Sequence, residues 1–165
     1  KASAEFLGLQ YANEFDLDFR VARVYFAYGP GHRPSELYPL YQAVFGPLEG
    51  QRRIVLPAGR DQAIDFTYVR DVAQAIVLLY ERPATQHRLY NVSSGWYAPI
   101  PELIDCVARV AGVEVEADIG PGRIMPRGPS LDSTRIREEL GFSPQYTFEE
   151  GVREYGEWIR AVAQI

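Results

Sequence analysis

Residues 21–31 read VARVYFAYGPG. From Val21 to Tyr28 the only charge is Arg23. Apolar residues at consecutive rather than alternate positions are the pattern of a strand covered on both faces, as in a parallel sheet flanked by helices. Gly29-Pro30-Gly31 must end that strand in a turn. A guanidinium buried in such a strand needs acceptors, so Arg23 is expected to tie neighbouring carboxylates or carbonyls together.

The rest of the chain alternates in the same manner. Ser3, Leu7, Tyr11 and Phe15, with Ala4 beside them, form the stripe of an amphipathic helix over residues 1–15. FRVARVYFAY is the first strand. Ser35 is placed to cap a helix through ELYPLYQAVF, whose first turns Pro39 would disturb. RRIVLP and AIDFTYV read as strands, and the second runs into RDVAQAIVLLYER, a helix with Val72, Ile76, Leu79 and Tyr80 as its apolar stripe. HRLYNVSSG is a strand and turn. IPELIDCVARVAG is a helix with proline near its start and Gly112 at its end. VEVEADI is a strand, and GPGRIMPRGPS is a loop. Asp132 is expected to cap the short helix STRIREEL, which stops at Gly141, and TFEEGVREYGEWIRAVA is the last helix. Strand and helix in alternation define the class as α/β.

Charge and cysteine count narrow the function. The 165 residues carry a net charge of −5, which argues against a general nucleic-acid binder. Cys106 is the single cysteine, so an internal disulfide is impossible; it reads as a small core residue, and its isolation suits a cytoplasmic protein. His32 and His87 lack metal-ligand spacing, and no apolar run has membrane-span length. The chain begins at Lys1, directly in a helix with no capping residue, and is expected to be cut from a longer one.

Five segments then fall in an order that resembles the C-terminal half of extended short-chain dehydrogenases/reductases, the NAD-dependent nucleotide-sugar epimerase/dehydratase family. KASAEFL resembles the tail of the Tyr-x-x-x-Lys helix. ARVYFAYGPG resembles the arginine strand ending in Tyr-Gly-Pro. GRDQAIDFTYVRDVAQAI, LYNVSSG and LDSTRIREELGFSPQYTFEEGVREYGEWI resemble the segments that follow. The resemblance implies the C-terminal part of a Rossmann-type doubly wound parallel sheet plus a small α/β substrate-binding subdomain. Residues of about 1–30 and 64–92 would complete the Rossmann core, and about 31–63 and 93–145 would bind substrate. It implies hydride transfer on a sugar or nucleotide sugar with bound NAD or NADP. Lys1 would bond the cofactor ribose and lower the pKa of a tyrosine four residues ahead of it on the same helix face. Tyr25 and Tyr28 fall where cofactor contacts lie, and a homodimer through the Lys1 helix is implied. No G-x-G-x-x-G occurs in the chain, so on its own it is expected to be inactive and to bind NAD poorly.

Three positions depart from the family pattern. Phe26, Glu36 and Ile64 stand where the family commonly has asparagine, lysine and arginine against the substrate diphosphate. Arg52, Arg53, Arg60, Arg123 and Arg127 are available replacements, Arg123 foremost, because charge-assisted donors are the strong ligands for phosphate. The expected substrate-binding set is therefore Phe26, Glu36, Arg60 and Arg123. A smaller sugar or acid without a nucleotide is the alternative substrate, and a non-catalytic binding or assembly module is the alternative function. Asp65 and Asp71 straddle a strand-to-helix junction, which makes a shared face doubtful. Asp71 is expected to cap or open its helix, where its charge meets the positive dipole end. Tyr68 and Tyr90 are expected in the core, and Trp96 along a pocket.

Overall fold

The computed structural model describes residues 1–163. Among these residues eight strands and six α-helices follow one another. They are α1 (Ala2–Phe15), β1 (Val21–Val24), β2 (Ala27–Tyr28), α2 (Pro39–Phe45), β3 (Arg53–Leu56), β4 (Ala63–Ile64), β5 (Thr67–Tyr68), α3 (Val69–Glu81), β6 (Leu89–Val92), β7 (Ala98–Pro99), α4 (Ile100–Ala111), β8 (Glu116–Ile119), α5 (Thr134–Leu140) and α6 (Phe148–Val162). Three strand pairs are parallel, β1 with β6, β2 with β5 and β3 with β8; β4 and β7 are antiparallel.

The opening run is two strands rather than one. Tyr25 still donates its N–H to Val92, 3.0 Å away, and Phe26 accepts from the Thr67 amide at 3.1 Å. Between them the chain leaves β6 and joins β5, and Phe26 makes the change with φ at 38°. That left-handed conformation costs a bulky L-residue roughly 1–2 kcal/mol. Tyr25, Tyr41 and Phe66 hold the ring, with centroids 4.8, 6.0 and 5.6 Å away. The turn that follows is fixed by packing. A Cβ on Gly29, at φ 129°, would sit 2.8 Å from both Tyr68 and Val69.

Arg23 and its strand are more open than their sequence implies. β1 is part-buried on one half and exposed on the other. Arg23 is half exposed, and it meets one carboxylate, Glu5 of α1, through two of its nitrogens. The carboxylate tie is as expected; the burial is not, because β6 is the one strand paired with β1 among the described residues. The stripe expected to bury α1 also points outward, with Leu7, Tyr11 and Phe15 exposed. The helix closes on the body through small residues instead. Ala12 is buried, and a Cβ on Gly8 would fall 2.1 Å from the Phe19 ring.

Two apolar clusters lie inside. The larger gathers Tyr28, Phe45, Phe66, Tyr68, Phe148 and Tyr155 with the aliphatic faces of α2, α4 and β3. The smaller packs α3 and α5 on β6 through Ala75, Leu79, Tyr90, Val92, Ile136 and Leu140. In α3 the buried face is Val72, Ala75 and Leu79, while Ile76 and Tyr80 are exposed, so the predicted stripe was rotated toward solvent. Pro39 opens α2 rather than disturbing it, since its missing N–H is one the first turn does not use, and Ser35 lies in a preceding 3₁₀ turn. Gly112 and Gly141 end α4 and α5 in left-handed conformation, as expected.

Candidate functional site

The loop of residues 120–132, without helix or strand of its own, runs beside the Tyr25–Phe26 kink. Tyr25 donates its hydroxyl to the Gly128 carbonyl. The Arg127 guanidinium lies 5.9 Å from the centroid of the Phe26 ring, within cation–π range. Arg123 donates to the Arg127 carbonyl, so both arginines share one short arc. Their side chains are exposed while Tyr25 beneath them is buried. Burial raises the Tyr25 phenol above its ordinary range, with the positive charge of Arg127 opposing. Of the residues expected from sequence, Tyr25, Phe26 and Arg123 are thus brought together, and Arg127 joins them.

Arg60 is close to this group through backbone. Its N–H donates to Gly120 at 3.2 Å, and Gly59 and Asp61 donate to Gly122 at 3.0 and 3.2 Å. Glu36 is elsewhere engaged: its carboxylate accepts from the Arg33 amide at 3.0 Å and lies 4.0 Å from His32. Tyr28 is buried. It is 4% exposed, stacked on Phe45 at 5.0 Å, and its hydroxyl donates to the Phe148 carbonyl at 3.0 Å. The phenol is packed as a core residue. Ile64 is fully buried, so its side chain serves the core. Lys1 is exposed at the start of α1, one turn before Glu5, whose amide bonds the Lys1 carbonyl at 3.1 Å. The Glu5–Arg23 pair sets that turn against β1, two residues from Tyr25.

Two buried polar side chains organise the arginine loop. Gln62 is 2% exposed; its Oε1 accepts from the Ile124 and Met125 amides at 2.9 and 3.0 Å, and its Nε2 donates to the Met125 carbonyl at 3.2 Å. Asp65 is fully buried and accepts from Ser94 Oγ at 2.6 Å, and from the Gly95 amide and Ser130 Oγ at 2.7 Å each. Its own amide donates to the Pro129 carbonyl at 2.7 Å. A carboxylate out of water needs such donors. Asp71 does not share this site. It sits in the first turn of α3, buried, and accepts from the Gln145 amide at 2.8 Å, tying down the segment before α6 rather than capping its own helix. Asp132 does serve α5, accepting from the Thr134 amide at 2.9 Å.

A cavity lies elsewhere. About 870 Å³ opens between α4, the start of α6 and the turn at residues 94–96, lined by Tyr28, Tyr68, Trp96, Cys106, Arg137 and Phe148 among others. Trp96 stacks on Phe148 there, at 5.6 Å, so the expectation that it lines a pocket holds. The cavity's arginines are already engaged: Arg109 pairs with Glu149 at 3.5 Å and Arg137 donates to the Ser94 carbonyl at 2.9 Å. Tyr28 aside, none of the expected site residues borders it.

The model of the NAD dependent epimerase/dehydratase family matches residues 1–93. This chain belongs to that family. The dTDP-glucose 4,6-dehydratase of Streptomyces niveus is 32% identical over 97% of this chain and 47% of its own length. The structure of a UDP-glucose 4-epimerase from Thermotoga maritima, solved with UDP-glucose, superposes with a TM-score of 0.83 at 26% identity, over 99% of this chain and 52% of that one. RMD from Pseudomonas aeruginosa, solved with NADPH, superposes with a TM-score of 0.78 at 27% identity, over 97% of this chain and 55% of that one. The chain spans about half the length of the curated relatives it matches. Together with the parallel strand pairs, these likenesses establish the Rossmann-type α/β class. No helix among the described residues is long and apolar enough to cross a membrane. For a dinucleotide, no glycine-rich phosphate turn occurs in the sequence, while Lys1 opens α1 and Tyr25 follows β1.

Proposed function

We propose that the complete protein is an NAD(P)-dependent enzyme that epimerises, dehydrates or oxidises a nucleotide sugar, and that this chain supplies the substrate side of its site. The observation that carries the reading is the grouping of Arg123 and Arg127 beside Phe26 and Tyr25, at the end of β1, in a chain of this family. Two guanidinium groups on one arc suit a diphosphate. The Phe26 ring offers an apolar face, and Tyr25, with its hydroxyl committed to Gly128, shapes the nicotinamide end of β1. Arg60 stands ready on the adjoining loop. Bound NAD or NADP would supply the hydride acceptor. Lys1 would bond the ribose and favour the phenolate of a tyrosine one turn ahead of it. The division into a Rossmann portion (about 1–30 and 64–92) and a substrate portion (about 31–63 and 93–145) is part of this reading; both apolar clusters cross it, the larger joining Tyr28 and Phe66 to Phe45, the smaller joining Tyr90 to Ile136. The outward apolar stripe of α1 supports a homodimer or a contact with further polypeptide.

The test uses the complete protein with NAD or NADP and a panel of UDP- and dTDP-sugars. Micromolar binding by calorimetry and conversion of one sugar, seen by chromatography, are expected. A second reading rests on Phe26, Glu36 and Ile64 in place of phosphate donors: a sugar or sugar acid without a nucleotide. NADH formation from such a compound, with no nucleotide sugar bound, would decide for it. Absence of any change in NADH fluorescence on mixing would instead favour a non-catalytic module.

A further inference from the structure

We propose that Gln62 and Asp65 are positioning residues that hold Arg123 and Arg127 in their binding arrangement. The inference rests on the anion-binding reading of those arginines. A loop of 13 residues, Gly120–Asp132, with neither helix nor strand would sample many conformations, and each bound anion would have to order it again. Here the ordering is done beforehand by three side chains from other segments. Gln62 grips the backbone at Ile124 and Met125 from both sides of the amide. Asp65 grips Ser130 and, through its own amide, Pro129. Tyr25 holds Gly128 between them. Arg123 and Arg127 thus project from an arc fixed at 124–125 and 128–130. Asp65 also binds the Ser94–Gly95 turn, so the arc is fixed to the strand end at β6 as well as to β4. Neither Gln62 nor Asp65 needs to touch a ligand. Their effect is on the entropy and geometry of the arginines, and misplacement of about 1 Å costs up to roughly a hundredfold in such sites.

Two measurements test this in the complete protein. The first needs no ligand. Arg123 and Arg127 are exposed and each precedes a bond trypsin can cut. Gln62→Met keeps the volume and removes the amide, and Asp65→Asn keeps the shape and replaces one of the two accepting oxygens by an NH2 donor. Each is expected to speed tryptic cleavage after Arg123 or Arg127 about tenfold or more, at temperatures where circular dichroism shows the variant folded. Should Asp65→Asn fail to fold, Ser130→Ala removes a single donor from Asp65 and serves in its place. Cleavage as slow as in the parent protein overturns the proposal. The second measures the Kd of UDP and dTDP for the parent, Gln62→Met, Arg127→Ala and the double variant. Gln62→Met should weaken binding about tenfold alone and add little once Arg127 is gone, whereas independent effects would multiply. Multiplying effects overturn the positioning role. A parent that binds neither nucleotide while the variants are cleaved faster leaves the tether established and removes the nucleotide reading instead.

Discussion

The core around Tyr28 and the edge formed by α1 and β1 use similar residues to opposite ends. Tyr28, Tyr41, Phe45, Phe66, Phe148 and Tyr155 enclose one another, and their hydroxyls find backbone carbonyls: Tyr28 to Phe148, Tyr41 to Ala27 and Tyr155 to His32. Phe6, Leu7, Tyr11, Phe15, Leu17 and Val24 are as apolar and stand exposed. An aromatic stripe is therefore no measure of burial by itself. Elements packed on every side make the first region a core, and a single paired strand leaves the second a surface. Such a surface supports the proposed contact with a protein partner, whereas the core is closed by its own neighbours.

Breaking the enclosed side should cost most. Phe45 is fully buried, and Phe45→Ala is expected to lower unfolding stability by about 3–5 kcal/mol in denaturant titration. Gly151→Ala should follow at about 1–3 kcal/mol. Its Cβ would lie 2.2 Å from the Tyr28 hydroxyl and 2.9 Å from the Tyr68 ring, so both side chains must shift. A smaller effect separates the two faces of the β1–β6 pair by pH. On the covered face, burial would raise the Glu139 carboxyl, but bonds from His87 and the Gln86 amide outweigh it and hold the group at about 2, against an ordinary 4.5. A carboxyl held below its ordinary value adds stability above that value and loses it as pH falls toward the folded one. Glu139→Gln should therefore flatten the loss of thermal stability between about pH 4.5 and 2. On the open face, the hydrogen bond from Arg23 lowers Glu5 as well. Glu5→Gln should show the same sign with a smaller amplitude, since water screens that pair. Phe6→Ser and Phe15→Ser should change stability least, within about 0.5 kcal/mol. Both should reduce binding of a hydrophobic dye to this chain, and an unchanged dye signal would mean the α1 face is not the open one.

The strands of the family motifs were legible because their signals are local. Apolar runs, Gly-Pro-Gly, and glycines past helix ends each act within a few residues, and β3, β6, α4 and α6 fall where the sequence puts them. The site was legible in part. Tyr25, Phe26 and Arg123 lie along one arc, while Tyr28 belongs to the core and Glu36 is held by Arg33. The Phe26 kink was hidden because VARVYFAY reads as continuous strand, and a change of partner leaves no mark in composition. The bonds made by Gln62 and Asp65 were hidden for a different reason. The Ile124 amide that Gln62 binds lies 62 residues on, and the Ser130 hydroxyl on Asp65 lies 65 residues on. One polar residue between a turn and a strand was the available hint for Gln62.

What the sequence determined by itself was the α/β alternation, the family and the end of β1 as the place to look. What the tertiary structure alone decided was which polar groups are buried together and which apolar ones are left facing water. Local propensity acts through neighbours along the chain. Burial depends on what arrives from dozens of residues away, and so Arg23 is open while Asp65 is enclosed.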